Sequence, residues 1–303
     1  MTKTLGYPLG ILAVIILGVW AYFSLCATCR FAAVVDTPVE KAELPETPEA
    51  TRFPFVLKDG GYAFEVNDNF NFNLSSATIK DSLSTQVVSG IESLKAHFST
   101  YGDRMVSITG HYRSDEVNQT AFPDLGFARA NAVKNRFVAL GIPSTRTALS
   151  SKLKEGMVAA DSILYGPISF AITKMDDADH EKLQSLFDSI TENPLVLYFE
   201  TGQASISLDS KQRRKVIDIA TFLDQVSGSQ CTITGHTDNT GERTANVALG
   251  LQRAEFAKAY LVGNGIASDR IVTASDGPDK PIASNGTEEG KALNRRTVVT
   301  LKQ

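Results

Sequence analysis

The sequence predicts an α/β chain: two tandem α+β sandwiches, each with helices packed on a small mixed sheet, behind one N-terminal transmembrane helix. Three observations carry this. Two long stretches repeat the same motifs at matching offsets, short β-rich runs alternate with helical segments inside each stretch, and one unbroken apolar run precedes both. The 303 residues are 43% hydrophobic and 21% charged, with a net charge of −4. Such values exclude a disordered or collagen-like chain, and the length allows two domains. Mild acidity argues against nucleic acid as a partner, since such binders carry a basic stripe.

No charged residue stands between Lys3 and Arg30, and the core of that run is Leu9 to Phe23. A bilayer core about 30 Å thick takes about 20 apolar residues as a helix. A transmembrane helix or signal anchor over residues 5–29 is therefore expected. Trp20, Tyr22 and Tyr7 stand near its ends, where amphipathic rings favour the interface. Lys3 before the run and acidic residues after it orient the N-terminus to the cytoplasm and export everything after Arg30. A cleaved signal peptide is the alternative; its apolar region would be about 7–15 residues long, and Ala27-Thr28-Cys29 is a poor match to its cut site. Cys26 and Cys29 form a C-x-x-C without a βαβ context, so they read as small residues at a membrane boundary rather than a redox pair. Neither follows the lipid-attachment pattern of Leu, a small residue and Gly or Ala. Cys231, in a predicted strand, reads as a small core residue.

Residues 30–54 read as a linker. Prolines at 38, 45, 48 and 54 and repeated Glu oppose helix and sheet. A Pro-rich chain extends about 3.1 Å per residue, so residues 36 to 54 would reach roughly 60 Å and hold a folded domain off the membrane.

Beyond the linker the chain repeats itself. Ile233-Thr234-Gly235-His236 is followed by Leu249-Gly250-Leu251-Gln252-Arg253-Ala254 and then Gly265-Ile266. Ile108-Thr109-Gly110-His111 is followed by Leu125-Gly126-Phe127-Ala128-Arg129-Ala130 and then Gly141-Ile142. From the Arg to the later Gly is 12 residues in both copies. Upstream, Phe72 to Ile79 parallels Phe199 to Ile206. The expected organisation is a first copy over 55–173, a connecting segment over 174–193 and a second copy over 194–303. The second copy should run strand (195–199), helix (209–223, capped by Asp209 or Ser210), strand (231–237), long helix (244–264), strand (270–274) and strand (297–301). Gly265 is the expected C-cap of the long helix. In the first copy the last strand is expected at 169–172. Residues 176–192 should form a helix with Leu183, Leu186, Phe187 and Ile190 on one face.

The chemistry concentrates in Gly235-His236-Thr237-Asp238, then Asn246 and Arg253-Ala254. Asn246 and Arg253 are seven residues apart and share a helical stripe. An acid, an amide and a guanidinium can then converge beside a helix start. Asp accepts from an ammonium and Arg offers a planar fork to a carboxylate, which suits a zwitterion. A plain Asp238–Arg253 ion pair is the alternative.

The stretch from Thr234 to Arg296 closely resembles the OmpA C-terminal-like family of peptidoglycan-binding domains. The resemblance continues through Tyr260-Leu261, Gly265-Ile266, Arg270-Ile271, Pro281-Ile282, Asn285, Glu289-Gly290 and Asn294-Arg295-Arg296. It implies a non-covalent site for the stem peptide of the bacterial cell wall. Asp238 would hold the side-chain ammonium of diaminopimelate and Arg253 its carboxylate, with Thr237, Asn246 and Ala254 lining the pocket. It implies that Asn294-Arg295-Arg296 supports the site and that His236 is structural. Gly250 stands where the family has Ser, a change expected to weaken the helix slightly. The resemblance further implies a bacterial envelope protein with its domains in the periplasm and peptidoglycan as partner. The alternative is an assembly component of an envelope complex whose domains mainly contact other proteins.

The first copy departs where the chemistry lies. Arg113 replaces the Asp, Phe122 stands in the position of Asn246, and no Asn-Arg-Arg precedes the last strand; Arg129 persists. Its loop is one residue longer, so Asp115 or Glu116 can swing in as a substitute. The expectation is a copy that kept its fold and lost its ligand. No H-E-x-x-H, G-x-S-x-G or metal-spaced Cys cluster occurs, so neither an enzyme nor a cofactor or metal is expected. The N-terminal run holds no Asp or Glu for proton relay, which favours passive tethering over ion-driven work. Without a series of alternating strands, a membrane β-barrel is not expected either.

Overall fold

The computed structural model describes residues 6–27, 49–80, 83–175, 178–199 and 207–302. The chain forms two units, Met1–Thr47 and Pro48–Gln303. In the first, helix α1 runs Gly6–Ala27 through the apolar run. The side chains described within it, residues 11–24, cover about 21 Å of axis at 1.5 Å per residue. Among the described residues no helix is long and apolar enough to cross a membrane. Cys29 and the linker up to residue 48 lie outside the described residues.

The second unit starts earlier than the proline pattern suggests. The Thr51 amide donates to the Val158 carbonyl at 2.9 Å, and that of Phe53 to the Tyr165 carbonyl at 3.2 Å. The Arg52 guanidinium lies 4.0 Å from the Tyr165 ring centre. The last residues assigned to the linker thus lie against the fold, held by backbone bonds and a cation–π contact. Strands β1 (Phe55–Asp59) and β2 (Tyr62–Val66) form an antiparallel hairpin turning at Gly60, φ +57°. Short β3 (Phe72–Asn73) follows. Helix α2 (Thr85–Thr100), capped by the Ser84 side chain, comes next. Strand β4 (Arg104–Tyr112) leads into α3 (Leu125–Ala139), which is capped by Asp124. Then come β5 (Thr147–Leu153), β6 (Ile163–Leu164) and β7 (Ile168–Lys174). The first sheet has the order β5-β4-β7, parallel between β4 and β5 and antiparallel between β4 and β7; β3 pairs with β6.

Helix α4 (Ala178–Glu192) connects to β8 (Leu195–Tyr198). Its Ile190 is buried, and Leu186 and Phe187 pack on the same core, as their spacing predicts. Helix α5 (Ser210–Gln225) opens with a reciprocal Asp209–Gln212 capping box. Strand β9 (Gln230–His236), helix α6 (Arg243–Gly263), strand β10 (Ile271–Gly277), helix α7 (Glu288–Asn294) and strand β11 (Arg296–Lys302) complete the chain. Gly265, φ +90°, follows α6 as expected. The second sheet has the order β10-β9-β11-β8. Its β9 and β10 are parallel, and β11 is antiparallel to β9 and β8. Cys231 is fully buried at the start of β9, and burial pushes its thiol up to about 11.

The same close contact recurs in both sheets. A Cβ on Gly235 of β9 would stand 1.8 Å from the Gly250 carbonyl oxygen of α6. One on Gly110 of β4 would stand 1.8 Å from that of Gly126 in α3. Helix backbone thus rests directly on strand backbone. Gly250, expected to weaken its helix, instead permits this approach: a Cβ there would meet Ser275 Oγ at 2.3 Å.

Helix α3 joins the two sheets. Ala130, Val133 and Phe137 face the core beneath β1, β4 and β7, whereas Phe127 and Ala128 enter the core of the second sheet, with Ala121 and Phe122. Polar bonds surround this seam. Asn131 Nδ2 donates to the Asn264 carbonyl at 3.1 Å, Asn135 Nδ2 to that of Gly265 at 2.9 Å, and Lys134 pairs with Asp224 at 2.6 Å.

His111, next to last in β4, and His236, last in β9, are both buried. Burial holds the His236 imidazole down at about 4, with Arg296 adding to the effect. Between that value and the unfolded value near ~6.5 the unfolded chain binds the proton and the folded chain does not, so stability is lost as pH falls through this window. Urea midpoints should therefore drop from pH 6.5 toward pH 4, and His236→Gln should flatten that slope. The glycine contact sets a second expectation. Gly235→Ala should destabilise by about 3 kcal/mol or more through overpacking. Gly263→Ala, which meets nothing within 4 Å, should be neutral or stabilise by up to about 1 kcal/mol.

Candidate functional site

Strand β9 hands the chain to the loop 237–242, which enters α6. The site is built around this junction. The Asp238 carboxylate accepts from Arg295 at 2.9 Å and from the Thr240 amide at 2.9 Å. Burial pushes its carboxyl up, but the bonds from Arg295 and Thr240 outweigh this and hold it below its ordinary value. Asp238 is thus an anion with its orientation fixed from two sides.

Arg253 is 6% exposed, three residues along α6 from the Gly250 contact. It donates to the His236 carbonyl at 3.3 Å and lies 5.7 Å from the Phe199 ring centre. Burial holds its guanidinium below its ordinary value; neighbouring Arg295 acts the same way and Asp238 opposes. Among the described residues no carboxylate pairs with Arg253. The simple Asp238–Arg253 ion pair does not form, because Asp238 turns to Arg295.

Asn246 is buried and donates to the Thr240 carbonyl at 3.0 Å. Its amide fixes the loop that presents Asp238. Thr237 is buried, tied by its amide to the Gly277 carbonyl at 2.9 Å. Thr237 Oγ1 and Arg295 Nε are buried with no hydrogen-bond partner among the described residues. Leaving such atoms unpaired costs about 1–3 kcal/mol each, so they are groups a ligand can satisfy.

Ala254 corrects the sequence reading. It is fully buried in the second core with Ala257 and Leu261. Successive helical residues are turned about 100° apart, so when Arg253 faces the site its neighbour faces the sheet. Sequence reasoning also left Arg295 among general support, although it holds Asp238 directly. The available signal was its place just before β11 in Asn294-Arg295-Arg296. Asn294 itself receives the amides of Ile282 and Ala283 at 2.8 and 3.1 Å, and Arg296 donates to the Lys280 carbonyl at 3.1 Å.

The site therefore sets one carboxylate between two guanidiniums, with buried donors to spare. It can receive a cation at Asp238 and an anion at Arg253 together. No group of three or more potential metal ligands occurs among the described residues.

The N-terminal half holds a matching arginine. Arg129, fully buried, lies 5.6 Å from the Phe72 ring centre and donates to the His111 carbonyl at 2.9 Å. Here Glu116 pairs with the guanidinium. Arg113, in the place of Asp238, pairs with Asp115 and donates to the Met157 carbonyl at 2.8 Å. Phe122 does not share a helical stripe with Arg129 as Asn246 does with Arg253. Helix α3 begins only at Leu125, and Phe122 sits in the core between the two sheets.

Comparison with known proteins finds relatives of the segment that holds this site. The peptidoglycan-binding protein ArfA of Mycobacterium tuberculosis is 38% identical over 119 residues, 39% of this chain and 35% of that protein. A peptidoglycan-associated lipoprotein of Buchnera aphidicola is 37% identical over 103 residues, 34% of this chain and 58% of that protein. The chain thus spans only part of the length of the curated relatives it matches. The crystal structure of the peptidoglycan-associated lipoprotein from Burkholderia pseudomallei aligns over 35% of this chain and 89% of that one, at 27% identity and a TM-score of 0.32. The sequence model of the OmpA family matches residues 198–295, from the end of β8 through α7, and this part of the chain is an OmpA-family domain.

Proposed function

We propose that the C-terminal half binds peptidoglycan non-covalently, through the diaminopimelate residue of the stem peptide. Asp238, held by Arg295 and Thr240, takes the side-chain ammonium. Arg253 takes the carboxylate, and Thr237 lines the site. The observation that carries this is the state of Arg253: a guanidinium 6% exposed beside a fixed carboxylate, with no anion of its own among the described residues. A buried cation gains most from a charge-assisted, bidentate partner. The OmpA-family match over this segment and the names of its relatives support the same ligand. They also favour binding over catalysis.

In the same proposal the two halves are copies of one module, a reading supported by their shared strand order and glycine contacts. The apolar helix α1 is the membrane anchor and the folded unit lies in the periplasm, so the protein tethers a membrane to the cell wall. Apolar side chains along α1 stand exposed, Trp20 and Phe23 at 67% each, as a lipid-facing surface would be.

Charge-assisted hydrogen bonds contribute roughly 1.5–3 kcal/mol each, so Asp238→Ala and Arg253→Ala should each weaken binding to purified sacculi about ten- to a hundred-fold. Arg253→Lys should recover only part, since an ammonium cannot reproduce the planar fork. Lys58→Ala, on the exposed face of the hairpin, is the control. Wild-type binding by Asp238→Ala at physiological salt would leave the residue a purely structural partner of Arg295. For the anchor, alkaline carbonate should leave the 32.7 kDa chain in the membrane pellet, and a soluble, shorter product would refute it.

A further inference from the structure

The two buried arginines share the same neighbours, a Phe ring and a His carbonyl. They differ in what faces them. Arg129 NH1 donates to Glu116 Oε2 at 3.0 Å, and its NH2 donates to Glu116 Oε1. The same carboxylate accepts from the amides of Arg113 at 2.9 Å and Ser75 at 3.0 Å. Four donors converge on one carboxylate whose side chain is 2% exposed. Burial pushes its carboxyl up, yet these bonds hold it below its ordinary value, so it stays ionised.

We propose that Glu116 is a built-in substitute for a ligand carboxylate: the N-terminal half keeps a carboxylate-receiving site, and the chain's own loop fills it. The means is where the helix begins: the spacing from His111 to Arg129 exceeds that from His236 to Arg253 by a single residue, but α3 starts only at Leu125 whereas α6 starts at Arg243, so residues 113–124 stay outside the helix against residues 237–242. Glu116, on that non-helical segment, meets the guanidinium. A tethered carboxylate acts at an effective concentration on the order of millimolar or above, so the site is shut to outside ligands. An ammonium has no place beside it, because Arg113 stands where the other half has Asp238. With Glu116 removed, the opened site should take a small carboxylate without an amine.

Chemical rescue in the full chain tests this. Glu116→Ala leaves Arg129 buried and unpaired, which should lower the melting temperature by on the order of 10 °C. Acetate, and N-acetylglycine with its carboxylate at the end of an amide chain, should restore most of that loss. Chloride at equal ionic strength should not. The wild type and the Glu116→Ala/Arg129→Met double variant should show no such preference. Should Glu116→Ala fail to fold in chloride, the yield of refolding from urea in acetate against chloride gives the same comparison. Equal behaviour in acetate and chloride overturns the proposal. So does rescue by acetate without rescue by N-acetylglycine, which would mark a sealed ion pair with no ligand path. The measurement concerns the N-terminal half and is independent of whether Arg253 takes peptidoglycan.

Discussion

Everything at this site hangs on one contact, the backbone of a helix lying directly on the backbone of a strand. Gly235 under Gly250, and Gly110 under Gly126, leave no room for even one methyl group. That approach brings the helix close enough for an arginine three residues further on to reach the carbonyl of the histidine just past the strand glycine. A larger residue at either crossing would lift the helix, and the guanidinium would lose its hydrogen bond. The glycines cost helix propensity, and the fold recovers that cost in packing.

A buried guanidinium is the second constraint. Removing a cation from water is expensive, and the structure compensates it in two ways. In the N-terminal half the compensation is internal, with a carboxylate delivered by a long loop. In the C-terminal half the nearest carboxylate is committed to Arg295, and Arg253 keeps only a backbone carbonyl and an aromatic face among the described residues. The first arrangement pairs its guanidinium within the chain, and the second leaves Arg253 without a carboxylate among the described residues. One local geometry thus carries a guanidinium paired within the chain and one without a carboxylate among the described residues, and the difference lies in where the helix begins and in the charges that precede it.

The two halves are not independent bodies on a string. Helix α3 is buried almost all round, lending Ala130, Val133 and Phe137 to one core and Phe127 and Ala128 to the other. Phe122, which occupies the sequence position of a site amide, has become part of that seam. The segment whose side chains differ most from the matching stretch of the C-terminal half is thus also part of the seam.

The alternation of strands and helices, the motifs recurring at matching offsets, and the placing of Asp238 just past a strand with Asn246 and Arg253 on the following helix were legible in the sequence, because these follow from local periodicity and fixed offsets. The caps at Asp209 and Gly265 were legible for the same reason. The β1–β2 hairpin was missed, and so was α7, only seven residues long and too short to show a period. Tertiary structure alone decided the partners. Arg295 reaches Asp238 across 57 residues of chain, Glu116 rather than Asp115 meets Arg129, and Ala254 turns into the core while its neighbour Arg253 faces the site. Periodicity says which residues share a stripe. Which stripe faces sheet or site, and which of several acids meets which cation, is set by through-space packing between segments that the sequence keeps far apart.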